Sequence, residues 1–228
     1  MKSLKNYIQE KLIIKKNKST NYKYFPQTKE ELRAIIKQRI KDEGNEVDLN
    51  DIDVSNITNM SNLFERTNFN GNISNWDVSN VTNMYSMFYG CKNFNQDISS
   101  WDVSNVKDMS NVFGECTSFN QDISAWDVSN VKNMSYMFYR CILFNQDISS
   151  WDVLNVENMF AMFAGCKSFN QDISSWDVYS VTNMRNMFVN CESFNQDISN
   201  WDVSKVKNNK FIFDNCPIEE KYKPKFKN

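Results

Sequence analysis

Tryptophan recurs every 25 residues: Trp76, Trp101, Trp126, Trp151, Trp176 and Trp201 are all six tryptophans of the 228-residue chain. Cysteine keeps the same interval, with Cys91, Cys116, Cys141, Cys166, Cys191 and Cys216 each 15 residues after a tryptophan and none elsewhere. One unit, Trp76 to Ser100, reads WDVSNVTNMYSMFYGCKNFNQDISS. An earlier, degenerate unit begins at Ile52 and runs 24 residues, with Ile for Trp and Thr67 for Cys, and the last unit breaks off after Cys216. A unit this short cannot bury a core alone, so each must pack on its neighbours.

A period of roughly 20–29 residues with regularly spaced apolar positions is that of leucine-rich and related solenoids. Met84, Met87, Phe88 and Cys91 fall at i, i+3, i+4 and i+7, which predicts one face of a short helix, with Thr82 or Asn83 capping it and Gly90 or Asn190 ending it. Trp101 and Val103 alternate with polar residues, which predicts a strand with one buried face, and Phe94 and Val106 complete the interior. The expected fold class is therefore an α/β repeat solenoid of about seven coils, each with one short strand and one helical turn. Four segments follow: a basic arm over 1–20, a lead-in with a capping helix over 21–50, the solenoid over 51–216 and a tail over 217–228. Thr28 and Glu31 make a capping-box pattern, Leu32, Ile35, Ile36 and Ile40 an apolar stripe, and Gly44 a stop. In the arm, Leu4, Ile8 and Leu12 lie on one face among lysines, a stretch suited to a partner or an anionic surface but marginal as an isolated helix. The tail is polar and reads as extended.

With no histidine in the chain, serine–histidine and cysteine–histidine mechanisms are excluded. The cysteines never occur as C-x-x-C and lie on the apolar face, so reduced core thiols are expected, with disulfides or thiolate metal binding as the alternatives. Each complete unit holds two aspartates, such as Asp97 and Asp102. Paired carboxylates serve glycoside hydrolysis, but a pair repeated in every unit is a poor active site. Calcium between stacked carboxylates and acceptance of backbone N–H bonds at turns are the other uses, the second being the expected one. The Asn95, Asn120, Asn145, Asn170 and Asn195 series is expected to form a hydrogen-bonded ladder. No catalytic residue, cofactor or metal is expected.

The string V-x-x-M-x-x-M-F-x-x-C-x-x-F-N-Q-D-I-S-x-W-D-V-S-N resembles the BspA-like family of leucine-rich-repeat surface proteins over about residues 52–216. That resemblance implies a right-handed solenoid and a role in adhesion or partner binding, with no established enzymatic activity. In leucine-rich-repeat geometry the outward side chains of the strands line one concave face, so Asp102, Asp127, Asp152, Asp177 and Asp202 would form an acidic binding stripe. Leu154 and Tyr179 interrupt the usual serine beside it, a sign of contact specificity.

Charge agrees with such a surface. Residues 1–44 carry 12 Lys and Arg against 5 Asp and Glu, and residues 217–228 carry 4 against 2, leaving 10 against 21 for the repeats, a net of −11. That field repels nucleic acid and favours a basic protein partner or a cation. No run approaches the roughly 20 apolar residues of a membrane span. The N-terminus lacks the apolar core and cleavage site of a secretory signal, which as written points to the cytoplasm, whereas the resemblance points to a surface. Sequence thus predicts a non-catalytic interaction or adhesion scaffold, the alternative being a structural or spacer component of a cell surface or virion.

Overall fold

A computed structural model describes residues 22–226. Equivalent residues of successive repeats pair in parallel, one position per repeat: Asn59 with Asn83, Asn83 with Asp108, Asp108 with Asn133, and so on to Asn208. The buried side chains consequently form columns. Phe88 stacks on Phe113 at 5.8 Å and Phe113 on Phe138 at 5.9 Å, while Phe94 stacks on Phe119 at 6.1 Å and, within its own repeat, on Phe88 at 4.0 Å. Trp76 and Trp101 stack at 6.4 Å. All six tryptophans are at least 96% buried and one continuous core runs through the repeats. Each such side chain contributes roughly 1.5–3 kcal/mol of burial, so the columns dominate stability.

The expected strand and helical turn are absent from the repeats; among the described residues the only helical elements are α1 (Lys29–Glu43) and a single 3-10 turn, Glu220–Tyr222. Met84 to Cys91 forms two consecutive β-turns, closed by Met87 N–H to Met84 O at 3.0 Å and Cys91 N–H to Phe88 O at 2.8 Å. Only the third residue of each turn, Ser86 at φ 52° and Gly90 at φ 73°, is left-handed, which defines type II turns. The same two left-handed positions recur in all seven repeats, through twelve non-glycine residues plus Gly90 and Gly165. A pair of such turns buries i, i+3, i+4 and i+7 just as a helix does, which is why the spacing misled. The alternation around Trp101 has a different source. Asp97 and Asp102 each accept the N–H two residues on, and tight turns at Ile98–Trp101 and Val103–Val106 point the apolar side chains inward without a strand ladder.

Two kinds of bonding hold neighbouring repeats together, on different sides. On the side of the type II turns the bonds are backbone to backbone: Met84, Ser86, Phe88 and Gly90 donate to the carbonyls of Asp108, Ser110, Val112 and Gly114 at 2.7–3.0 Å. On the side of the aspartates the bonds run from side chains. Trp101 Nε1 donates to Ile73 O, Asn105 Nδ2 to Ser79 O and Ser100 Oγ to Ser74 O, while Asn95 Oδ1 accepts the Asn120 N–H.

Both ends of the repeats are covered. Thr28 accepts the Glu31 N–H at the start of α1, Glu31 in turn accepts the N–H of Gln27, and Leu32, Ile35 and Ile36 enter the common core. Arg39 ties α1 to the first repeat, with Nη1 at 2.8 and 3.0 Å from the Asp51 carboxylate and Nη2 at 3.0 Å from Asp48 O. At the other end the tail is folded, contrary to the extended form expected. Ile218 and Pro224 are buried, the Glu219 N–H donates to Asn195 Oδ1, and Tyr222 O accepts from the Ile198 N–H. The tail therefore supplies, through the Glu219 N–H, the donor that the next repeat's asparagine N–H supplies elsewhere, together with an acceptor at Tyr222 O and apolar contacts. The basic arm and its Leu4, Ile8 and Leu12 face lie outside the described residues.

Candidate functional site

The division of bonding decides where side chains are free to differ between repeats. Where side chains make the inter-repeat bonds, the segment N-Q-D-I-S-x-W-D-V-S-N recurs with few departures, among them Leu154, Tyr179, Ser180 and Lys205. Where backbone makes them, the side chains are released. The second residue of the first type II turn is Tyr85, Ser110, Ser135, Phe160, Arg185 and Lys210 in successive repeats; that of the second is Tyr89, Gly114, Tyr139, Ala164, Val189 and Asp214.

On this turn face the first to fourth repeats form an open groove of about 430 Å³, lined by Glu65, Tyr85, Ser86, Tyr89, Asn111, Glu115, Tyr136 and Tyr139. Its cause is local. The third repeat carries Gly114 where its neighbours carry Tyr89 and Tyr139, and the Tyr89 ring lies over the bare backbone so closely that a Cβ on Gly114 would meet it at 2.9 Å. Tyr89 bonds to the Glu115 carboxylate, and burial followed by that carboxylate raises its phenol pKa above the ordinary value. Tyr136 packs edge-on against Tyr139 at 5.4 Å and against Phe160 at 4.7 Å. Arginines already cover two of the rings: Arg66 lies 5.1 Å from the centroid of Tyr89 and Arg140 5.2 Å from that of Tyr139. Ser86 and Ser110 are buried beneath.

The aspartate stripe lies on the other, side-chain-bonded side. Asp102, Asp127, Asp152, Asp177 and Asp202 are exposed, and each Oδ1 accepts the N–H two residues on at 2.9–3.0 Å. These carboxylates are turn-formers first. The second series behaves alike: bonds from the Ser99, Ser124, Ser149 and Ser174 N–H and hydroxyl hold Asp97, Asp122, Asp147 and Asp172 below the usual carboxylate range. Leu154 and Tyr179 sit exposed beside the stripe, with the Lys205 ammonium 3.8 Å from the Tyr179 centroid.

All six cysteines are free thiols. Sγ of Cys91, Cys116, Cys141, Cys166 and Cys191 donates to a carbonyl of the preceding repeat at 2.8–2.9 Å, and burial pushes the Cys91 thiol up to about 11 and the deeper ones higher. Such thiols are protonated and inert. Among the described residues no group of three or more Cys, Asp and Glu is placed to hold a metal ion, and no helix is long and apolar enough to cross a membrane.

A family profile described as "Mycoplasma protein of unknown function, DUF285" matches residues 32–141 and again 120–224. The chain belongs to that family. The two tandem matches together take in most of α1, the repeats and most of the folded tail, so the family unit is built from several 25-residue repeats. No curated protein and no solved structure matches the chain.

The turn-face residues are not legible in the repeat pattern, because they are the positions that do not recur. The signal was present as its complement: the four turn positions whose residue changes from unit to unit, among them Tyr85, Tyr89, Tyr136 and Phe160.

Proposed function

We propose that this protein is a non-catalytic binding scaffold, a right-handed leucine-rich-repeat-like solenoid of the BspA-like surface-protein kind, which engages a protein partner through its turn face. One observation carries the reading: the repeats differ most on the side whose side chains do not hold the stack, and there they carry Tyr, Phe and Arg. Those residue types dominate the energetics of protein interfaces. The side chains of the aspartate stripe are engaged in turns, so the proposal moves the interface away from it.

The test is affinity capture from extracts of the source cell and of cells it contacts. Wild type is compared with Tyr89→Ser/Tyr139→Ser on the turn face and Asp127→Asn/Asp152→Asn on the stripe. The scaffold reading expects a discrete partner that the turn-face variant loses and the stripe variant retains. Absence of any retained partner would favour a passive spacer instead.

A further inference from the structure

The groove on the turn face has a chemical bias that the scaffold reading does not require. Its lining holds two carboxylates, Glu65 and Glu115, four tyrosines and no lysine or arginine. Tyrosine faces attract ammonium and guanidinium groups, and carboxylates at the same site strengthen the preference. The protein displays this pairing internally, since Arg66 and Arg140 lie over Tyr89 and Tyr139. Both arginines stand outside the lining. Arg66 is 69% exposed at the side chain and its Nε is 3.9 Å from Glu65 Oε1, a loose contact; Glu65 Oε2 accepts from Asn62 Nδ2 at 2.9 Å, which orients the carboxylate and leaves Oε1 for an incoming cation. Asn111 adds a polar side chain that can bond the backbone of an extended segment. Gly114, buried beneath the Tyr89 ring, sets where that wall of the groove lies.

Resting on the proposed scaffold reading, we infer that this groove is a specific subsite for lysine or arginine side chains of an extended segment in the partner protein, read by Glu65 and Glu115 and walled by Tyr85, Tyr89, Tyr136 and Tyr139. The volume is in the range of small-ligand sites, enough for two side chains and the backbone between them. The acidic repeats, with a net of −11 over residues 45–216, steer a basic segment towards it.

The experiment titrates the full chain with two blocked heptapeptides, Gly-Gly-Lys-Gly-Lys-Gly-Gly and its glutamine twin, with maltotetraose as a neutral sugar probe, followed by NMR shifts of the tyrosine rings. The lysine peptide is expected to bind at least about 10-fold more tightly than the glutamine peptide. Glu65→Gln/Glu115→Gln is expected to erase that preference at unchanged melting temperature. Gly114→Ala, which forces the Tyr89 ring out of place, is expected to weaken the lysine peptide as well, and the double glutamine variant keeps the test decisive if Gly114→Ala proves unstable. Equal binding of the two peptides, no tyrosine shift with either, or tighter binding of the sugar would overturn the inference. Any of these beside a retained turn-face partner in the capture assay would remove the cation subsite and leave the scaffold standing.

Discussion

At the scale of single residues, three side chains per repeat do work that cannot be shared out. Tryptophan fills the core and bonds backward, as Trp126 does through Nε1 to Ile98 O at 3.1 Å. Trp126→Ala should therefore cost on the order of 3–5 kcal/mol in chemical denaturation, the loss typical of a buried aromatic with its cavity. A cost under about 1 kcal/mol would place the ring outside the core. Cysteine is the second: a thiol reagent should label none of Cys91, Cys116, Cys141, Cys166 and Cys191 in the native protein and all five after unfolding, because burial protonates and covers them. Aspartate is the third, and its effect depends on pH. The folded pKa values of Asp97, Asp122, Asp147 and Asp172 lie below the unfolded ones, so their stabilisation is complete above the ordinary aspartate pKa of ~3.9. It is lost as pH falls through the depressed folded values. The melting temperature should drop steeply below about pH 4, and Asp122→Asn/Asp147→Asn/Asp172→Asn, which keeps the turn acceptors but removes the titration, should flatten that drop; an unaltered acid limb would contradict the assignment.

At the scale of the element, the type II turn pair replaces the helix that the spacing suggested. Sequence made the repeat, the buried set and the asparagine ladder legible, since Met84, Met87, Phe88, Cys91, Phe94 and Trp101 are all buried as periodicity required. It did not make the backbone legible, because the left-handed third residue is often not glycine: Ser86, Glu115, Tyr136, Arg140 and Ala161 all occupy it. Such residues avoid that region in isolation; the inter-repeat bonds of their own N–H groups, with the turn-closing bonds and the buried side chains between them, hold them there. The proposed binding face was hidden for a related reason, since it is defined by which side of the stack is tied by backbone. Substitutions at the turns carry opposite signs. Ala161→Gly should raise stability by up to ~1 kcal/mol by relieving the left-handed strain, whereas Gly165→Ala should lower it, with φ at +78° and its new Cβ 3.1 Å from Arg140 Cγ. Denaturant midpoints at constant slope measure both.

At the scale of the whole molecule, a stack of like units is as stable as its ends are sealed. Removing residues 217–228 should uncover Ile198, Phe213 and the acceptor at Asn195, producing a lower melting temperature and self-association in sedimentation. An intact, monomeric truncation would show that the tail is not a cap. The sealed ends leave lateral faces for binding, and one of them is free to vary. The central claim is that this turn face meets the partner. Hydroxyl-radical footprinting of the chain with its captured partner tests it at the level of side chains. The account predicts protection of Tyr85, Tyr89, Tyr136, Tyr139 and Phe160 with unchanged reactivity at Leu154 and Tyr179 beside the aspartate stripe; protection of Leu154 and Tyr179 with the turn-face tyrosines still reactive would contradict it.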